Sequence, residues 1–216
     1  MSIKRVLRGN PHGKTGWEHL KDWWNDEDDP QVNMRTQLQK QFNPLKLFLG
    51  DMIELSDHTQ QNSQAYEVES IICFTPKYGG DRVTRYELKD TRPTCALEAL
   101  ESPDGVLYTW YQLDDEFELD RKLLHICKHE DTMEHTTHHG DGSENVARYF
   151  KDAEMESSAM IFTPDQVDRV DLYGFYYSDE AEKSFLTIEA WSRAQWMRFY
   201  VGENISHRQI LSLGSL

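Results

Sequence analysis

From Pro44 onward the apolar residues of this chain recur at every second position, in short runs cut by turn residues. A period of two places alternate side chains on opposite faces of an extended backbone, which is the signature of β-strands. Residues 66–74 (YEVESIICF) and 83–90 (VTRYELKD) read as two strands around the turn Thr75-Pro76-Lys77-Tyr78-Gly79-Gly80. CALEALE and VLYTWYQL flank Ser102-Pro103-Asp104-Gly105. There proline followed by Asp-Gly pre-sets a tight turn and predicts a hairpin. Three more runs, LYGFYY, SFLTIEAW and WMRFYVG, follow at short spacing. Residues 117–127 (FELDRKLLHIC) complete the first block as a further strand, and residues 146–162 fit strands or part helix.

The expected fold is therefore mainly β, with antiparallel meanders forming tandem or merged barrel-like or sandwich-like units. Residues 1–43 differ. A basic, glycine-containing tail precedes Trp17, Leu20 and Trp24, which recur at helical spacing over about residues 16–25, before Asp26-Glu27-Asp28-Asp29-Pro30 ends the run. Residues 31–43 carry Met34, Leu38 and Phe42 at i, i+4 spacing. The predicted organisation is a tail and helical arm (1–43), a first β unit (44–127), a His-rich linker (128–145) and a second β unit (146–216).

Sliding the chain by 91 residues superimposes the two blocks: Tyr86 falls on Tyr177, and Leu97-Glu98-Ala99-Leu100 falls on Ile188-Glu189-Ala190-Trp191. Duplication of one meander accounts for this, as does chance reuse of similar strand patterns.

Composition excludes some functions. The 216 residues hold 38 Asp+Glu against 23 Lys+Arg, a net charge of -15. That balance argues against a nucleic-acid partner, whose phosphates need cations. Residues 1–50 hold 8 cations and 6 anions, whereas residues 51–216 hold 15 and 32. The acidity belongs to the β body. No apolar run approaches the ~20 residues of a membrane-spanning helix. Cys73, Cys95 and Cys127 are odd in number and form no CxxC pair, so a reduced, cytoplasmic protein is expected.

Residues from about Leu45 to Leu213 resemble the bacterial family of domain of unknown function 4178. The carrying residues are Leu49-Gly50-Asp51-Met52-Ile53, Tyr66-Glu67-Val68, Arg85-Tyr86-Glu87-Leu88, Tyr177, Leu186-Thr187-Ile188-Glu189-Ala190-Trp191, and Tyr200-Val201-Gly202-Glu203-Asn204-Ile205. Arg85 departs from the pattern, since the family often has an acidic residue there, and so does Cys95-Ala96-Leu97. The C-terminal part also resembles the related YjfK-type family. The resemblance implies a small soluble bacterial protein commonly encoded near membrane-stress and polyamine-related genes, and implies no established activity.

Three candidate chemistries follow. His125, Cys127 and His129 alternate, so on a strand they share one face, and with the stretch to His139 they offer ligands to zinc or another transition metal. The spacing matches no zinc motif, and the competing reading is an exposed linker. Glu98 and Glu189 are a carboxylate pair for an acid/base hydrolase, if the duplication brings them together. Their phase, opposite to Leu97/Ala99 and Ile188/Ala190, predicts solvent-facing or cross-strand-paired glutamates instead. Gly9-Asn10-Pro11-His12-Gly13-Lys14-Thr15 is one residue short of a phosphate loop and no strand precedes it, so that motif is rejected.

The expected function is a non-enzymatic protein-binding or accessory module. Trp17, Leu20, Trp24, Tyr108 and Trp110 would meet a protein partner, or the basic arm would touch anionic lipid at the membrane periphery. Strand edges make a homodimer plausible. No cofactor is expected beyond the metal alternative.

Overall fold

The computed structural model describes residues 45, 47–56, 63–89, 91, 94–102, 105–138, 144–192 and 195–214. The predicted tail, both N-terminal helices and the residues Trp17, Leu20 and Trp24 lie outside that set. The described chain is mostly antiparallel β. In chain order it runs β1 (Met52–Ser56), β2 (Ser63–Pro76), β3 (Arg82–Leu88), β4 (Cys95–Ser102), β5 (Gly105–Glu118), α1 (Arg121–His129), β6 (Thr132–His138), β7 (Glu144–Phe162), β8 (Val167–Ser178), β9 (Ser184–Trp191), β10 (Trp196–Ile205) and β11 (Ile210–Gly214).

Hydrogen-bonded neighbours follow the order β11-β1-β2-β3-β4-β5-β10-β9-β8-β7-β6, and β2 also pairs with β7. That last ladder, Ile71↔Phe162 through Pro76↔Ser157, closes eight strands into a barrel. The ring contains two meanders, β2–β5 and β7–β10, joined side by side along β5–β10 and β2–β7. The two sequence blocks therefore share a single barrel. β1 and β11 extend from one side and β6 from the other.

The alternation has an unexpected orientation. Leu97, Ala99, Tyr86, Leu88, Ile71 and Tyr108 form one buried cluster on the outer wall, where Leu47, Ile53 and Ile210 pack over them. Phe175, Tyr177, Leu186, Ile188, Met197 and Phe199 form a second, with Cys127, Leu123 and Leu124 of α1 against it. The opposite phase of the same strands points into the barrel. It carries Ile72, Phe74, Val83, Leu172 and Trp191 in one cluster and Ala96, Tyr111, Phe185 and Tyr200 in another. Both faces are thus covered. The more apolar stripe is the outer one, because added elements cover it there.

Residues 121–129 are helical, which corrects the expected strand over 117–127. The Asp120 carboxylate caps the first turn, accepting from the Lys122 and Leu123 amides at 2.7 and 3.3 Å. Such a cap satisfies amide donors that a helix start otherwise leaves open. Leu123, Leu124 and Cys127 then form the inward stripe. The expected linker is also corrected in part: residues 132–138 are β6, paired with β7 from Thr132↔Phe150 to His138↔Glu144.

Candidate functional site

The barrel interior holds a charged cluster that nothing in the alternation announces. Arg85 projects inward from β3 and is 0% exposed. Its cross-strand partner Glu98, on β4, takes the guanidinium through Oε2, at 3.1 Å from Nε and 2.7 Å from Nη2. Glu189 reaches it from β9, across the barrel, with Oε1 also 2.7 Å from Nη2. Glu189 Oε2 accepts from Trp191 Nε1 at 3.0 Å. The Arg85 guanidinium carbon lies 4.5 Å from the Tyr200 ring centroid, 5.0 Å from Phe74 and 5.7 Å from Tyr111. Ring faces of this kind attract a cation, and more so where water is excluded.

Burial works against the arginine charge, but Glu189 and Glu98 overrule it and hold its pKa well above the ordinary value. Glu98 goes the other way. Burial outweighs the help of Arg85, and Glu189 adds repulsion, so its carboxyl sits above the usual glutamate range. Burial also raises the phenols of Tyr111, Tyr176 and Tyr200, which stay protonated donors.

Glycines make room for these rings. A Cβ on Gly202 would lie 2.4 Å from Tyr111 Cδ1 and 2.8 Å from the Trp110 carbonyl oxygen. With no side chain there, the Tyr111 ring crosses β10, and its hydroxyl accepts from Thr187 on β9 at 3.1 Å. Gly174 does the same for Tyr176, whose hydroxyl would lie 2.9 Å from an added Cβ.

Above the cluster lies a cavity of about 310 Å³. It sits at the end of the barrel that carries the β4–β5 and β8–β9 connections, where Ser102, Gly105 and Glu182 line it. Its walls are Val83, Leu100, Leu107, Met155 and Phe185, and its deeper polar edge is Glu98, Thr109, Tyr111 and Tyr176. Asp152 reaches it from β7. There the β7–β8 register shifts between Lys151 and Ala153, leaving Asp152 as the extra residue. Bulges characteristically re-aim a side chain in this way. Toward the other end Arg198 is ion-paired to Glu116 and, at 3.6 Å, to Glu87.

The structure brings Glu98 and Glu189 together, since both contact one nitrogen, so the two oxygens lie no further apart than twice 2.7 Å. The expected cross-strand pairing holds for Glu98, while the solvent-facing alternative is corrected: Glu98 is 7% and Glu189 0% exposed. Only Glu98 lines the cavity. Arg85 itself was missed. Its signals were an arginine in the middle of an otherwise strong strand and the departure from the resembled family's pattern.

The metal candidates are separated. On a helix His125 and His129 fall on one side, with ring centroids 4.2 Å apart, and both are exposed. Cys127 lies between them, turned by roughly 200° from His125, and is buried against the outer wall. The expected shared face is lost with the strand. His135 is engaged elsewhere, at 2.8 Å from Asp114 Oδ2 and stacked on Phe199. The His138 side chain and all of His139 lie outside the described residues. Among the described residues no group of three or more His, Cys, Asp and Glu side chains is arranged to hold a metal ion.

Tyr108 and Trp110, expected at a partner surface, pack within the protein. Tyr108 is buried beside His207, and Trp110 is half-buried with its ring 5.4 Å from Tyr66. Among the described residues no helix is long and apolar enough to cross a membrane. No protein-family model, no curated protein and no solved structure matches this chain.

Proposed function

We propose that the chain is a non-enzymatic binding protein whose barrel holds a small molecule in its interior. The observation that carries this reading is the 310 Å³ cavity in the barrel mouth, walled by apolar side chains and floored by a few convergent polar groups. Ligand pockets have that composition, and the mouth of a β-barrel is one of their usual places. The expectation of a protein-facing aromatic surface has weaker support, because Tyr108 is buried and Trp110 half-buried against Tyr66. Acid/base hydrolysis by the carboxylate pair has weaker support. Such mechanisms place the substrate between the two groups, and here Arg85 occupies that position while Glu189 lies outside the cavity.

The test uses phenylnaphthylamine, a neutral apolar fluorophore that brightens in dry sites. Saturable binding with one site per chain is expected. It is lost in a folded Thr109→Trp variant, whose indole fills the cavity. An absence of saturable binding, or binding that ignores Thr109→Trp, overturns the reading.

A further inference from the structure

The cavity is charged in one sense only. The ionisable carboxylates among its lining residues are Glu98, Asp152 and Glu182, and no lysine, arginine or histidine joins them. Glu98 is the deepest of the three and is almost wholly buried. Both of its hydrogen bonds to Arg85 use Oε2. Among the described residues Oε1 has no hydrogen-bond partner, and it is the oxygen that Glu98 has left to present to the cavity it lines.

The charge count behind that oxygen is unbalanced. One guanidinium lies between two carboxylates, so the group of Arg85, Glu98 and Glu189 holds one carboxylate more than it holds cations. A buried charge without a partner is costly, and water in a narrow, mostly apolar cavity solvates it poorly. A neutral apolar occupant would bind through the apolar walls alone and leave Glu98 Oε1 without a partner. An anion would be repelled. An ammonium group would supply a charge-assisted hydrogen bond to Oε1, beside the aromatic side chains of Tyr111, Tyr176 and Phe185.

We propose, resting on the reading of the cavity as a ligand site, that its occupant is a small organic cation: one ammonium head on Glu98 Oε1, carried by an apolar body against Val83, Leu100, Met155 and Phe185. Asp152 and Glu182 stand nearer the mouth and draw such a cation inward. The apolar walls select against an ion with no hydrophobic body.

The experiment compares three probes of one shape by calorimetry near neutral pH: phenethylammonium, phenethyl alcohol and hydrocinnamate. The cation is expected to bind at least about tenfold tighter than the alcohol, a difference of about 1.4 kcal/mol, and the carboxylate more weakly still. In Glu98→Gln the preference for the cation over the alcohol falls by a similar factor. The proposal is overturned if the alcohol or the carboxylate equals the cation, if the cation does not bind, or if its preference survives in folded Glu98→Gln. Should that variant not fold, the comparison on the unsubstituted protein decides alone. Phenylnaphthylamine separates the two readings. If it enters the cavity while the cation shows no preference, only the ligand class is wrong. If it does not bind, the cavity reading falls, and this proposal with it.

Discussion

Glu98 and Glu189 come from different meanders, yet Glu98 Oε2 and Glu189 Oε1 both lie 2.7 Å from Arg85 Nη2. One buried cation thus ties the two halves of the barrel through their carboxylates. Replacing it should be worse than deleting a neutral side chain, because two carboxylates are then left facing each other. We expect Arg85→Met to lose about 3–5 kcal/mol in urea unfolding near neutral pH. The triple variant Arg85→Met, Glu98→Gln, Glu189→Gln should recover a large part of that loss. A single variant as stable as the parent would show that the cluster does not hold the charges described.

The raised pKa of Glu98 makes a signed prediction about pH. Below the ordinary glutamate range the carboxyl is protonated in both folded and unfolded chains, and its contribution to stability is fully present. As pH rises toward its elevated folded value, the unfolded chain releases the proton first and that contribution is lost. Of the groups facing it, which also include Glu189, Arg85 stays charged and Tyr111 and Tyr176 stay neutral as this happens. Glu98→Gln should therefore gain stability relative to the parent as pH rises from about 4, read from paired unfolding curves. A constant or shrinking difference would contradict the assignment.

Gly202 predicts a steric effect. An alanine there would press its methyl into the Tyr111 ring and the Trp110 carbonyl. Gly202→Ala should cost about 1–3 kcal/mol, as overpacking in a tight core does. Adding Tyr111→Leu should return part of it in a double-mutant cycle, since the carbonyl contact remains. Strict additivity would mean that the ring does not cross the glycine.

Asp120 caps α1 through two amides, so Asp120→Ala should lower stability by about 1 kcal/mol and Asp120→Asn by much less. Thermal melts of the three proteins provide the comparison. Equal melts would show that the cap contributes nothing.

The thiols should be inert. Burial pushes Cys73 up to about 12 and Cys127 up to about 11, well away from thiolate formation near neutral pH. Both are expected to resist alkylation in the native protein and to react once it unfolds, as mass spectrometry of modified peptides would show. Rapid native labelling of either would contradict their placement.

How much of this was legible in the sequence depends on how local each signal is. Hairpins such as β4–β5 were readable because the alternation and the turn lie within a dozen residues. α1 was missed because Leu123, Leu124 and Cys127 suit either period over so short a run. Asp120, the residue that decides between them, acts through capping rather than hydropathy. The candidate site was half visible. Glu98 and Glu189 stood out by their repeated pattern, but their direction was read inversely. Alternation tells two faces apart without saying which one the rest of the chain will cover. Here β1, β11, β6 and α1 cover the apolar outer stripe, so the polar phase lines the lumen. Arg85 was illegible for a related reason. Its burial depends on Glu189, a hundred residues away and brought near only by barrel closure.

That closure has a kinetic side. Within each meander the strands follow one another through short connections, so their ladders form between near neighbours in sequence. The β2–β7 and β5–β10 ladders instead join segments some ninety residues apart, and contacts of that separation are slow to form. Until both seams have zipped, Arg85 and Glu189 do not face each other across a closed lumen. The lumen and its charge balance therefore come into being together, at the last step of assembly.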